Sequence, residues 1–94
     1  MARMKVLDIV ATPNPNAIKV LLDGPVSAGT QSYFNATAAV GDALATGLFA
    51  IPGVAGIMLL GTFVTVSKRK EAAWDAILPA VKAVLEAWTQ KPTL

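Results

Sequence analysis

The 94-residue sequence contains neither cysteine nor histidine. Without cysteine there is no disulfide framework, no thiol nucleophile and no thiolate metal site. Without histidine, the usual general base near neutral pH and the commonest nitrogen ligand for metals are both gone. Charge is scarce as well. Charged residues make up 15% and the formal net charge is +2, too little to argue for nucleic acid. The only basic cluster, Lys68-Arg69-Lys70, reads as a solvated corner before a helix, since no aromatic residue interleaves with it as a stacking platform. The first residues, MARMKVLDIV, have too short an apolar stretch and no small-residue cleavage site for a signal peptide, so a cytoplasmic location is the default expectation.

What the chain does have is grease. Hydrophobic residues reach 54%, enough for one compact core, and a single domain over residues 1–94 is expected. Ala43 to Ser67 carries no charge at all and is long enough to suggest a bilayer span. Gly47, Pro52, Gly53, Gly56 and Gly61 interrupt it, which favours a helix stop followed by strands over a membrane helix.

The periodicities give an element order. Met4 to Val10 reads as a first strand and Ala17 to Leu22 as a second, with Ile18, Val20 and Leu22 alternating against Lys19 and Leu21. LLDGPVSAGTQSY breaks the pattern with Gly24-Pro25 and Gly29 and reads as a crossing loop. A short helix follows, with Asp42 as N-cap, Leu44, Leu48 and Ile51 on one face, and Pro52-Gly53 as its stop. Val54 to Leu60 and Phe63 to Ser67 flank Gly61-Thr62, a hairpin whose leading glycine suits a type II′ turn. The last helix is expected to begin near Glu71, with a stripe of Trp74, Ile77/Leu78, Val81, Leu85 and Trp88, and with a kink at Pro79 unless the first half behaves as one extra turn. The resulting expectation is an α+β two-layer sandwich in the order ββαββα: a mainly antiparallel four-stranded sheet with both helices on one face.

No catalytic set emerges. Asp8, Asp23, Asp42, Glu71, Asp75 and Glu86 occupy strand ends and helix starts, and nothing in their spacing pairs two of them for acid–base work. Ser27, Thr30 and Ser32 share a loop, but no histidine or nearby lysine would activate them. The glycines form neither a P-loop nor a dinucleotide fingerprint. Trp74 and Trp88 read as core anchors. The local feature that stands out is TPNPN, residues 12–16. Its prolines fix their own φ and push Thr12 and Asn14 toward extended geometry, while the asparagine side chains can bond nearby backbone groups. The first job of this corner is to end one strand and launch the next.

TPNPNAIKV, followed by Gly24-Pro25-Val26, Leu44-Ala45 with Leu48-Phe49, Ile51-x-Gly53-Val54, Phe63-x-Thr65-Val66-x-Lys68 and Trp74 to Pro79, resembles the Nfu/NifU N-terminal domain family, which is linked to iron–sulfur cluster scaffold proteins. The resemblance runs from about Met4 to Trp88 and implies a compact α+β domain. The hairpin turn looks one residue shorter than in longer family members. Cluster-carrying Nfu proteins hold their cluster with a CxxC pair in a second domain, and no CxxC occurs in these 94 residues. Cluster iron is ordinarily held by thiolates or imidazoles, so no cofactor or metal ligand is assigned in this chain; iron binding comes by family association only, and any iron would need oxygen ligands.

The resemblance therefore implies a non-catalytic accessory or interaction domain in iron–sulfur cluster assembly or delivery. Its partners would be assembly or client proteins, a CxxC-bearing scaffold acting in trans among them, without nucleic acid or membrane. Thr12, Pro13, Asn14, Pro15, Asn16 and Lys19 are the candidate partner-binding residues, because a rigid loop presents polar groups at small entropic cost. The alternative is a domain or minor enzyme that takes a small anion with Lys19 and the Lys68–Lys70 corner. Self-association through apolar surface is a third reading.

Overall fold

The computed structural model describes residues 5–24 and 30–87. The elements are β1 (Val6–Ala11), β2 (Ala17–Leu22), β3 (Gln31–Tyr33), α1 (Ala43–Phe49), β4 (Val54–Leu60), β5 (Phe63–Lys68) and α2 (Trp74–Ala87). All pairings are antiparallel, and the strands lie in the order β1-β2-β5-β4-β3. The α+β sandwich stands, but the sheet has five strands rather than four and the order is βββαββα.

The additional strand, β3, lies in the stretch expected to be a loop. Three residues, two of them polar, are too few to show alternation. Their strand geometry comes from pairing with β4, through Gln31↔Leu59, Ser32↔Met58 and Tyr33↔Ile57. The β4–β5 hairpin forms as the sequence indicates. Gly61 has φ +56 while no described non-glycine residue has positive φ, which excludes a type I′ turn and fits type II′.

Register decides which side chains share a face. Ile18↔Val66, Val20↔Val64, Ile57↔Val66 and Leu59↔Val64 all point to one side. There they join Leu44, Ala45 and Leu48 of α1 and Ile77, Val81 and Leu85 of α2 in the buried core. Both helices thus cover the same face. The other face carries Lys19, Leu21, Met58, Leu60, Phe63 and Thr65, and all of them are only half-buried.

α1 is seven residues long, too short to persist without packing. Asp42 caps it: Oδ1 accepts from the Ala45 amide at 3.0 Å, and Oδ2 accepts from the Tyr33 hydroxyl at 3.0 Å. Partial burial first, then the Asp42 hydrogen bond and charge, raise the Tyr33 phenol above its ordinary value.

α2 starts at Trp74, later than Glu71, because residues 69–72 close a turn in which the Ala72 amide bonds the Arg69 carbonyl at 3.1 Å. Pro79 does not end the helix. It sits on the exposed side, where the carbonyl of Asp75 that it leaves without an amide can face water. Trp88, expected at the end of the stripe, and residues 25–29 of the loop, Gly29 among them, lie outside the described residues. No helix among the described residues is long and apolar enough to cross a membrane.

β1 is an edge strand, and its neighbours blunt it. The Val6 amide donates to Glu86 Oε2 at 3.5 Å and the Ile9 amide to Asp8 Oδ1 at 2.8 Å, beside an irregularity between Val6 and Asp8. Carboxylates placed on edge amides leave less backbone for another strand to pair with.

Candidate functional site

The proline–asparagine corner joins β1 to β2, and its polar groups are turned largely onto itself. Thr12 Oγ1 lies 2.9 Å from the carbonyls of Asn14 and Ala17, sharing its one proton between them, and accepts from the Asn14 amide at 3.1 Å. Asn14 Oδ1 accepts from the Asn16 amide at 2.9 Å, an Asx turn, and the Ala17 amide returns to the Asn14 carbonyl at 3.0 Å. The backbone-bonding role expected of Asn14 is thus used to build the turn, joined by the Thr12 hydroxyl. Thr12→Val removes the hydroxyl from three short contacts and keeps the branched shape. Urea unfolding of this variant should show a loss of about 1–2 kcal/mol, the cost of stranding partly buried partners. An unchanged midpoint would mean the turn holds without it.

Two residues far along the chain staple the corner to the body. Trp74 Nε1 donates to the Pro15 carbonyl at 3.1 Å, and Lys68 Nζ donates to Asn16 Oδ1 at 3.0 Å. The Lys68 amide also donates to the Asn16 carbonyl at 2.7 Å, and its ammonium lies 5.7 Å from the centre of the Trp74 ring. Lys68 is therefore partly buried between β5, the corner and α2, and the expected solvated Lys68-Arg69-Lys70 corner splits: only Arg69 and Lys70 are exposed. A sequence signal for this existed. Val64, Val66 and Lys68 alternate, so Lys68 falls on the core-facing side of β5.

The structure does not gather all six candidate residues. Pro13, Asn14 and Pro15 are exposed, while Thr12 and Asn16 are partly buried in the turn. Lys19 stands apart, on the uncovered sheet face, with its ammonium 4.4 Å from the centre of the Phe63 ring. Lys19 pairs with Thr65 on the uncovered face and Lys68 has the opposite parity, so the two cations do not converge on one anion. Among the described residues no three His, Cys, Asp or Glu side chains form a metal-holding group.

A five-stranded antiparallel sheet with two helices on one face, a stapled proline–asparagine corner and an uncovered second face defines a small α+β domain of the Nfu type. The chain belongs to the family described as "Scaffold protein Nfu/NifU N terminal", which matches residues 7–91. The NFU1 iron-sulfur cluster scaffold homolog, mitochondrial, of Drosophila erecta is 40% identical over 76 residues, covering 79% of this chain and 27% of that protein. NifU-like protein 5, mitochondrial, of Arabidopsis thaliana is 34% identical over 76 residues, covering 80% of this chain and 28% of that protein. The chain thus spans little more than a quarter of the length of these curated relatives.

The crystal structure of Staphylococcus aureus protein SAV1430 superposes with a TM-score of 0.73 at 30% identity, covering 87% of this chain and 99% of that one. The solution structure of the NifU-like protein from Saccharomyces cerevisiae gives a TM-score of 0.73 at 25% identity, covering 84% and 73%. The cytoplasmic expectation does not survive these comparisons, because the relatives are named as mitochondrial proteins. It had rested on missing secretory features, which say nothing about organelle transit segments of different composition.

Proposed function

We propose that this domain is a non-catalytic accessory module in iron–sulfur cluster assembly or delivery that docks protein partners and leaves cluster iron to a partner's ligands. Membership of a scaffold family supports the process. The donor chemistry supports the division of labour: these 94 residues contain no cysteine and no histidine, and so lack the thiolate and imidazole donors that ordinarily hold cluster iron. The partners would be assembly or client proteins, including a CxxC-bearing scaffold acting in trans. The observation that carries the docking role is the corner. Lys68 and Trp74 fix Pro13, Asn14 and Pro15 in one exposed shape, so that a partner orders little on binding. The anion-binding alternative loses its support because Lys19 and Lys68 lie on opposite faces.

The test must change what the corner presents without collapsing it. Asn14→Asp/Asn16→Asp keeps an oxygen where the Asn16 amide and Lys68 need an acceptor, and removes both side-chain NH2 groups. Affinity purification with the wild-type domain should recover iron–sulfur assembly proteins, and the double variant should lose them. Equal recovery would remove the corner as the docking surface. Recovery of no such protein by the wild type would remove the function. Stoichiometric iron and sulfide on the purified domain after desalting would overturn the non-ligating role.

A further inference from the structure

The helices leave one face of the sheet bare, and its chemistry is specific. Successive rungs across that face read Val10–Lys19–Thr65–Met58–Ser32 and Asp8–Leu21–Phe63–Leu60. The third rung, Ala17–Ser67–Gly56, ends on a residue with no side chain. There the face opens into a groove of about 310 Å³, floored at Gly56 and bordered by Met58, Thr65, Ser67, Ser32 and Phe34. Phe34 stands at its rim 83% exposed, a large ring left in water. One strand beyond Thr65 is Lys19, the cation of this apolar field. Asp8, the acidic residue of the same face, sits on the edge strand with Oδ1 taken by the Ile9 amide.

We propose that this face is a second docking surface, which takes an amphipathic helix of a partner protein with a large apolar side chain in the Gly56 groove and a carboxylate on Lys19. The groove is sized for one large side chain, and half-buried Met58, Leu60 and Phe63 supply apolar area around it. Charge complementarity sets the second contact. Lys19 held over Phe63 presents positive charge at one end of a mostly apolar contact, where a carboxylate is favoured and a second cation is rejected. Spacing sets the third. Gly56 on β4 and Lys19 on β2 are two strand steps and one rung apart, about 12 Å on the diagonal. Two turns of a helix laid along that diagonal, from i to i+7, rise about 10.5 Å, and the long lysine and glutamate side chains cover the remainder, so positions i and i+7 on one helical face reach both. This surface is separate from the corner, and its failure would leave the corner reading standing.

The probe is an acetylated, amidated alanine–glutamine helix of about 16 residues carrying a phenylalanine, a leucine one turn on and a glutamate two turns on. A second peptide has lysine in place of the glutamate. Titrated into the 15N-labelled domain, the glutamate peptide should shift the amides of Gly56, Met58, Thr65 and Ser32 and bind about tenfold more tightly than the lysine peptide. Lys19→Glu should reverse that order. Gly56→Val should abolish binding of both peptides while the variant keeps the wild-type amide spectrum away from the groove, since a Cβ at this position would meet only ordinary contacts, at 3.5 Å from the Tyr33 carbonyl oxygen and 3.6 Å from the Ser67 Cβ. Equal affinity for the two peptides, binding that persists in Gly56→Val, or no saturation by about 1 mM would overturn the proposal. So would a dimer that Gly56→Val dissociates in sedimentation, since a second copy would then be the occupant.

Discussion

Gly53→Ala should lower the unfolding free energy by about 3 kcal/mol, from two causes that add. Gly53 has φ +95, where a Cβ is strained against its own backbone. The space is also taken: a Cβ would lie 2.8 Å from Ala72 Cβ and 3.1 Å from Ile77 Cδ1. Neither neighbour yields easily. Ala72 is fixed by the turn that leads into α2, and Ile77 is buried in the core. The Gly53 carbonyl also accepts from the Arg69 amide at 2.8 Å, so a backbone shift would loosen the same turn. Gly61→Ala is the matched comparison. Gly61 has φ +56, and a Cβ there would meet nothing within 4 Å, leaving only the conformational cost of about 1 kcal/mol. Urea unfolding of the two variants separates strain from crowding. Equal losses would show that the Ala72 contact relaxes freely.

The sequence made Gly53 legible as a helix stop, since Pro52-Gly53 follows an apolar stripe. It could not show that α2 comes back to within contact of that glycine. The same divide runs through the rest of the molecule. β2, α1 with its Asp42 cap, and the Gly61-Thr62 hairpin rest on local periodicity and turn chemistry, and all three were readable. β3 was not, because its strand character is conferred by β4. Pro79 did not announce a continuous helix, yet α2 runs through it, since an exposed proline early in a packed helix costs less than a buried one.

At the candidate site, the turn-building role of the Asn14 side chain was visible from residue chemistry, whereas the Thr12 hydroxyl contacts were not read, and Asn16 Oδ1 meets Lys68 instead of nearby backbone. The staples were not visible: Asn16 meets Lys68 and Pro15 meets Trp74 across separations of 52 and 59 residues. Lys19 belonged by sequence to the corner and by register to the open face. Three residues beyond Asn16, a strand has already turned its side chain onto a different surface.

Leu48→Ala should cost about 4 kcal/mol. Leu48 is fully buried and is one of three residues, with Leu44 and Ala45, that fasten α1 to the sheet. A seven-residue helix has almost no stability of its own, so whatever packing it loses is lost from the whole domain. A domain of this size has about 5–10 kcal/mol in total, and the variant would be close to unfolded at room temperature. Leu21→Ala removes the same atoms from the other side of the sheet, where the side chain is half-buried and no helix lies above it. That change should cost about 1 kcal/mol, the transfer of partly exposed methylenes with no cavity left behind. Chemical denaturation of both variants at low protein concentration measures the asymmetry between the two faces. Comparable losses would mean that the face beside Lys19 and Phe63 is covered in solution. A large difference leaves it open to a partner, and only an open face can take a helix.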